Sequence, residues 1–287
     1  MDMTTAQNIL ITGCSSGIGL ALAIEFKRRG HVVFATARSS DALKALSAQG
    51  FHAVQLDVTD ADSIAAAFTQ VHAKCTRLDM LVNNAGYGQF GAVMDTEADA
   101  LRRQFETNVI APVALSRAVL PMLLASPSAC IANLGSVSGI TTTPFAGVYC
   151  ASKAALHALS DAMRMELGPL GVRVVTVQPG GITSKFGDNA SHQIQFPEGS
   201  LYTSIAKFIQ GRAQLSQRGA TLVDVFAAEV VTHLLDPHAG PICRTGAQST
   251  RLPLLKRWLP TAMLDKKMQK LFGLERLQRV TPSDGGH

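Results

Sequence analysis

Tyr149 and Lys153 stand four residues apart in the segment YCASKAALHAL. On a helix that spacing puts both side chains on one face, within reach of each other. A phenol can donate a proton to a carbonyl oxygen that is gaining charge, and as phenolate it can act as the base in the reverse direction. Its ordinary pKa is about 10, so reaching about 7 takes ~4 kcal/mol of phenolate stabilisation. The ammonium of Lys153 would supply part of that. Alone, such a pair is usually a solvated helix face, so the reading depends on what the rest of the chain places beside it.

A second set of residues fits a phosphate ligand. ITGCSSGIGLALAIEF carries Gly13, Gly17 and Gly19 where an apolar run passes into a helical pattern. Glycines there let the backbone approach a pyrophosphate, and a helix N-terminus offers unpaired N–H groups and the positive end of its dipole. The next apolar run ends VVFATARSS. An acid at that point would bind a ribose 2′-OH, whereas an arginine accommodates a 2′-phosphate. Ala37 takes the acid's place and Arg38 follows, which predicts NADP(H) in preference to NAD(H).

These residues need a scaffold, and the hydrophobic pattern describes one. Apolar runs at Asn8–Thr12, His31–Ala35, His52–Leu56, Met80–Val82, Cys130–Leu134, Arg173–Gln178 and Ile242–Thr245 read as strands. Helical patterns lie between them at 17–30, 39–49, 60–75, 96–125 and 148–168. The strands are apolar without alternation, as when helices cover both faces. The fold class is therefore α/β, a doubly wound parallel sheet between two helical layers. We expect one domain over 1–250, with an insertion at 181–220 that follows a strand's C-terminal end and could cover a ligand, and an extension at 251–287.

With 47 % hydrophobic and 16 % charged residues among 287, the chain can bury a large core. One Trp and three Tyr argue against an aromatic platform for single-stranded nucleic acid. The net charge of +5 resides in the tail: from Arg244 onward nine Lys/Arg meet three Asp/Glu, and the preceding residues carry 17 against 18. The body therefore has no basic footprint for nucleic acid. Five cysteines without a CxxC pair fit neither a zinc site nor a disulfide framework. The expected compartment is the cytoplasm, since neither a secretory signal nor a run of 18 apolar residues is apparent.

Thr12-Gly-x3-Gly-x-Gly19, Asn83-Asn84-Ala85-Gly86, Ser136 and Tyr149-x3-Lys153, in that order over about residues 8–184, resemble the short-chain dehydrogenase/reductase family. The resemblance implies a Rossmann-type sheet of order 3-2-1-4-5-6-7 and hydride transfer between a nicotinamide and an alcohol or carbonyl. It implies a catalytic set of Asn108, Ser136, Tyr149 and Lys153. The cofactor would be held by Gly13, Ser15, Ser16, Gly17, Ile18, Gly19, Arg38, Asp57, Val58, Asn84, Ala85, Gly86, Pro179, Gly180, Ile182 and Ser184, with Asn83 beside them. Tyr149 and Lys153 would also touch it. Asn108 would hold a water through its side chain or a freed backbone carbonyl. Thr183 could replace Ser184, where the family often has threonine. The branch it looks most like contains 17β-hydroxysteroid and retinol dehydrogenases. A second reading of the fold is a non-catalytic NADP(H)-binding redox sensor.

The expected substrate pocket is formed by Tyr87–Asp95, Ser138–Phe145 and the 181–220 insertion, largely apolar and without a cluster of Arg or Lys. That favours a hydrophobic ketone, aldehyde or secondary alcohol: steroid-, retinoid- or lipid-like. The tail from Arg251 mixes apolar and basic residues. It reads as two short helices interrupted by Pro253 and Pro260, packed over the site or on a partner, in preference to a peripheral membrane contact. The long apolar helices at 96–125 and 148–168 suggest a homodimer or homotetramer.

Overall fold

The structure is a computed structural model that describes residues 6–184, 186–187, 194, 196–217 and 219–278. Seven parallel strands form one sheet in the order β3-β2-β1-β4-β5-β6-β7. They are β1 Asn8–Ile11, β2 Val32–Ala37, β3 His52–Gln55, β4 Met80–Asn83, β5 Cys130–Leu134, β6 Arg173–Pro179 and β7 Ile242–Thr245. Neighbouring side chains on a strand point to opposite faces, and here both faces are apolar. Ile9 and Ile11 belong to the core beneath α1 (Gly17–Arg28), α2 (Ser40–Ala48) and a later helix, Val223–Leu235, with Leu22, Phe26, Phe226 and Val230. Leu10, between them, joins Phe34, Leu81, Ile131 and Val174 on the other face. There α3 (Ala61–His72) and α5 (Ala111–Leu124) contribute Ala67, Val71, Leu115, Val119 and Met122.

The helix expected over 96–125 is not continuous. It consists of α4 (Ala98–Phe105), a π-helical segment at Glu106–Ile110, and α5. By length and hydropathy alone Ala98–Leu124 could cross a bilayer, contrary to the expectation from apolar runs. Half of it is buried, and Leu115, Val119, Met122 and Leu123 fix it in the core. The helix expected over 148–168 is α6, Gly147–Leu167.

Among the described residues of the 181–220 insertion, a short helix α7 spans Ala206–Gln214. The base of the insertion is anchored where Thr183 N donates to Thr221 O and Thr221 N to Gly181 O. After α8 (Val223–Leu235) and β7 the tail forms α9 (Arg251–Trp258) and α10 (Thr261–Leu271). Pro253 does not interrupt α9. It lies in the first turn, where an N–H has no helical acceptor to lose. Pro260 does separate the two helices and caps α10.

Candidate active site

The C-terminal ends of the strands open into a cleft of about 1380 Å³. One wall is the turn between β1 and α1. Gly13 and Gly17 take left-handed backbone conformations (φ 72° and 60°), and a Cβ on Gly19 would collide with the Gly13 carbonyl. The N-cap residue of α1, Ser16, makes no side-chain capping bond, so the helix presents its N–H groups to the cleft. This is a cradle suited to a diphosphate. Thr12 joins it to the fourth strand, its Oγ1 accepting the Ala85 and Asn84 N–H groups at 2.8 and 2.9 Å. Asn84 Nδ2 returns a bond to Thr12 O at 2.8 Å.

Ser15, Ser16, Ile18, Arg38, Asp57, Val58, Asn84, Ala85, Gly86, Pro179, Gly180, Ile182 and Ser184 all line the same cleft. Asp57 accepts from Thr59 N and Oγ1, which lowers its carboxyl pKa. Ser184 lines the cleft, whereas Thr183 is exposed and ties the insertion to Thr221. Asn83 does not line the cleft. Its Nδ2 donates to Asn133 Oδ1, Ser116 Oγ and Pro112 O, a buried network between the sheet and α5. Asn83 is the last residue of β4, and its side chain points into a helical layer, not out over the edge.

Ser136, Tyr149 and Lys153 converge on the wall opposite the glycine turn. Ser136 caps a short 3₁₀ segment, its Oγ accepting the Ser138 N–H at 3.1 Å, and its side chain favours the charged form of the Tyr149 phenol. Tyr149 is 8 % exposed and lies against Phe90 and Phe186, with ring centroids 5.8 and 5.6 Å away. Burial pushes the phenol up to about 12, against the lowering influence of Ser136 and Arg212. Lys153 Nζ donates to Leu134 O at 2.6 Å and sits 5.9 Å from the centre of the tyrosine ring. Lys153 is itself buried and is lowered to about 8. The protein's own groups thus hold Tyr149 protonated.

Asn108 lies in the π segment and does not line the cleft. Its Nδ2 donates to Tyr87 O and Ser152 Oγ at 3.0 and 3.1 Å, and its Oδ1 accepts the Tyr87 N–H at 3.2 Å. The side chain is used in joining three segments.

Two residues escaped the sequence reading. His157 Nε2 accepts the Ser136 N–H at 3.3 Å, and burial together with the charge of Lys153 lowers it to about 4, so it is neutral. Its spacing, four beyond Lys153 on the same helix face, was the available signal. Arg212 of α7 also lines the cleft, although nothing local in AKFIQGRAQ marks it. The tail closes the far side through Leu252, Met268, Leu271 and Phe272, and Lys256 Nζ donates to Ile140 O at 2.6 Å. Of the packings considered for the tail, the structure has the one over the cleft.

Residues 7–195 match the model of the short chain dehydrogenase family. A short-chain dehydrogenase of Neurospora crassa, srdE, is 34 % identical over 94 % of this chain and 93 % of its own. The crystal structure of a short-chain dehydrogenase from Streptomyces avermitilis superposes with a TM-score of 0.77, at 31 % identity over 95 % of this chain and 97 % of that one. A short-chain dehydrogenase from Sphingobium yanoikuyae, solved in complex with NADPH, gives 0.67 at 27 % identity, over 97 % and 99 %. With the sheet order, the glycine turn and the Ser136–Tyr149–Lys153 wall in place, the chain belongs to the short-chain dehydrogenase family and is an oxidoreductase of CH–OH and C=O groups.

Proposed function

We propose that this protein reduces an apolar ketone or aldehyde with NADPH, in preference to NADH, and oxidises the corresponding alcohol in reverse. The observation that carries the reading is the convergence of Ser136, Tyr149 and Lys153 on one wall of a cleft whose other wall is a diphosphate cradle. When bound, the nicotinamide supplies the hydride and, once oxidised, a positive charge beside the phenol. Ser136 donates to the substrate oxygen and fixes it as negative charge grows. Tyr149, protonated at neutral pH, gives that oxygen its proton as general acid. Lys153 holds the ribose hydroxyls and contributes charge to the regenerated phenol. Asn108 positions Tyr87 and Ser152 around Lys153 and keeps the π turn in place. His157 orients Ser136 through its backbone N–H.

Arg38 supports the cofactor preference. It is exposed at the end of β2, lines the cleft, and follows Ala37 where an acid would repel a 2′-phosphate. The NADPH-bound relative from Sphingobium yanoikuyae is in line with it. The domain reading remains one catalytic unit over 1–250 with the tail as part of its substrate wall. Leu101, Ile110, Val113, Leu159 and Met165 are exposed on α4–α6, and their burial against a second copy supports a dimer or tetramer.

The test is a panel of apolar ketones, aldehydes and secondary alcohols, followed through nicotinamide absorbance with each cofactor. We expect reduction of carbonyls with kcat/KM higher for NADPH than for NADH. Turnover of no carbonyl or alcohol with either cofactor would return the protein to the redox-sensor reading.

A further inference from the structure

Among the described residues, no carboxylate neutralises the charge of Arg212. Arg212 is 7 % exposed and lines the cleft beside Phe90, Thr143 and Phe186. Its Nε donates to Thr143 Oγ1 at 2.8 Å, and its Cζ lies 5.1 Å from the centre of the Phe90 ring. Phe90 in turn stacks on Tyr149, with centroids 5.8 Å apart and planes at 28°. The guanidinium therefore sits one aromatic ring away from the proton donor.

Among the described residues no carboxylate pairs with it. The groups among the described residues that act on it electrostatically are the Cys150 thiol and the Tyr149 phenol. Burial lowers its pKa, yet a guanidinium stays charged at neutral pH. It carries five N–H donors in one plane, and only the Nε donor has a partner among the described residues. Buried charges are ordinarily paired, and a guanidinium fork matches a carboxylate in a bidentate manner. Apolar side chains of the same cleft include Phe90, Phe186, Leu215, Leu252 and Phe272.

We propose that Arg212 anchors a carboxylate on the substrate, so that the ligand class is an apolar keto acid, with the hydroxy acid as its reduced partner. The carboxylate and the reacting carbonyl are separated by an apolar spacer that lies along Phe90. The inference rests on the reductase reading and narrows its substrate. It also refines the sequence expectation: the described pocket segments carry no cluster of Arg or Lys, but besides Lys153 the buried Arg212 faces the cleft. A purely structural Arg212, tying α7 to the Thr143 loop, makes a different prediction.

The experiment uses matched pairs: benzoylformate, benzoylpropionate and benzoylbutyrate, each beside its methyl ester. All are assayed with NADPH against wild type, Arg212→Met and Arg212→Lys. The readout is the acid-to-ester ratio of kcat/KM within one enzyme, which a general loss of folded protein does not move. In wild type at least one acid should exceed its ester by roughly 10- to 100-fold, the range of a charged hydrogen bond. Arg212→Met should bring that ratio close to one, and Arg212→Lys should keep part of it. Equal turnover of acids and esters by wild type, or a ratio unchanged in Arg212→Met, overturns the anchor while leaving the reductase intact. Failure of every pair and of all other carbonyls defeats the reductase reading itself. In that case protection of NADPH-loaded wild type, but not of Arg212→Met, by benzoylbutyrate in thermal unfolding still supports the anchor; no protection overturns it.

Discussion

The two walls of the cleft are built in different ways. The cofactor wall comes from short turns directly after β1, β2, β4 and β6, each set by one or two residues at a strand end. Gly13 and Gly17 fix the first turn by backbone conformation, and Thr12 bonds it to the fourth. The substrate wall is assembled from segments far apart in sequence: Phe90 after β4, Thr143 after β5, Arg212 on α7 and Phe272 beyond α10. These meet only through tertiary packing: Phe90 packs in a cluster with Tyr149 and Ala213, and Phe272 in one with Phe145, Ile205, Ile209 and Met268. A fold can therefore hold its cofactor chemistry constant while the opposite wall changes.

If the walls are separable, single substitutions should move one property and leave the other. Arg38→Ala should lower kcat/KM for NADPH relative to NADH by roughly 10- to 100-fold, the range of a charge-assisted contact to a 2′-phosphate. The KM of the carbonyl substrate should change little. An unchanged cofactor ratio would remove Arg38 from the cofactor wall. On the other side, Leu252→Ala combined with Leu271→Ala should raise KM for an apolar carbonyl substrate about fivefold or more. The NADPH dissociation constant, read by fluorescence titration, should hold. A parallel loss of NADPH affinity would show the walls to be coupled.

Lys153 lies at the seam, and its expected effect is the smallest. Its folded pKa of about 8 lies below the ordinary lysine value of 10.5, because burial penalises the ammonium. The unfolded chain therefore binds more protons between those values, and stability falls as pH drops from about 10.5 through 8. At neutral pH Lys153 costs stability that Lys153→Met recovers. We expect a rise in Tm of a few degrees, about 1 kcal/mol, together with loss of turnover. The advantage should shrink as pH rises above 8. A variant less stable than wild type at pH 7 would mean that the bond to Leu134 O outweighs the burial cost.

The same division explains what the sequence disclosed. All seven strands were legible because a doubly covered parallel sheet needs unbroken apolar runs. The residues of the strand-end turns that line the cleft were legible, since those turns depend on local residue types. Asn83 was misplaced by one position because a motif gives spacing but not which face of the strand a side chain takes. The π segment at Glu106–Ile110 left no mark in the apolar period of 96–125, although it carries Asn108. The i,i+4 spacing of Lys153 shows proximity to Tyr149, whereas burial sets the direction in which the phenol shifts in the protein alone. Arg212 could not be found at all without the packing that buries it.

The central claim is that Tyr149 protonates a carbonyl as hydride reaches its carbon. It is tested most directly with NADPH deuterated at the transferring position of the nicotinamide and any carbonyl the protein reduces. Mass spectrometry of the alcohol should find deuterium on the carbinol carbon for wild type. In Tyr149→Phe the rate should fall by roughly 10²- to 10⁴-fold with NADPH binding retained. Deuterium-labelled product formed at an undiminished rate by Tyr149→Phe would contradict the account.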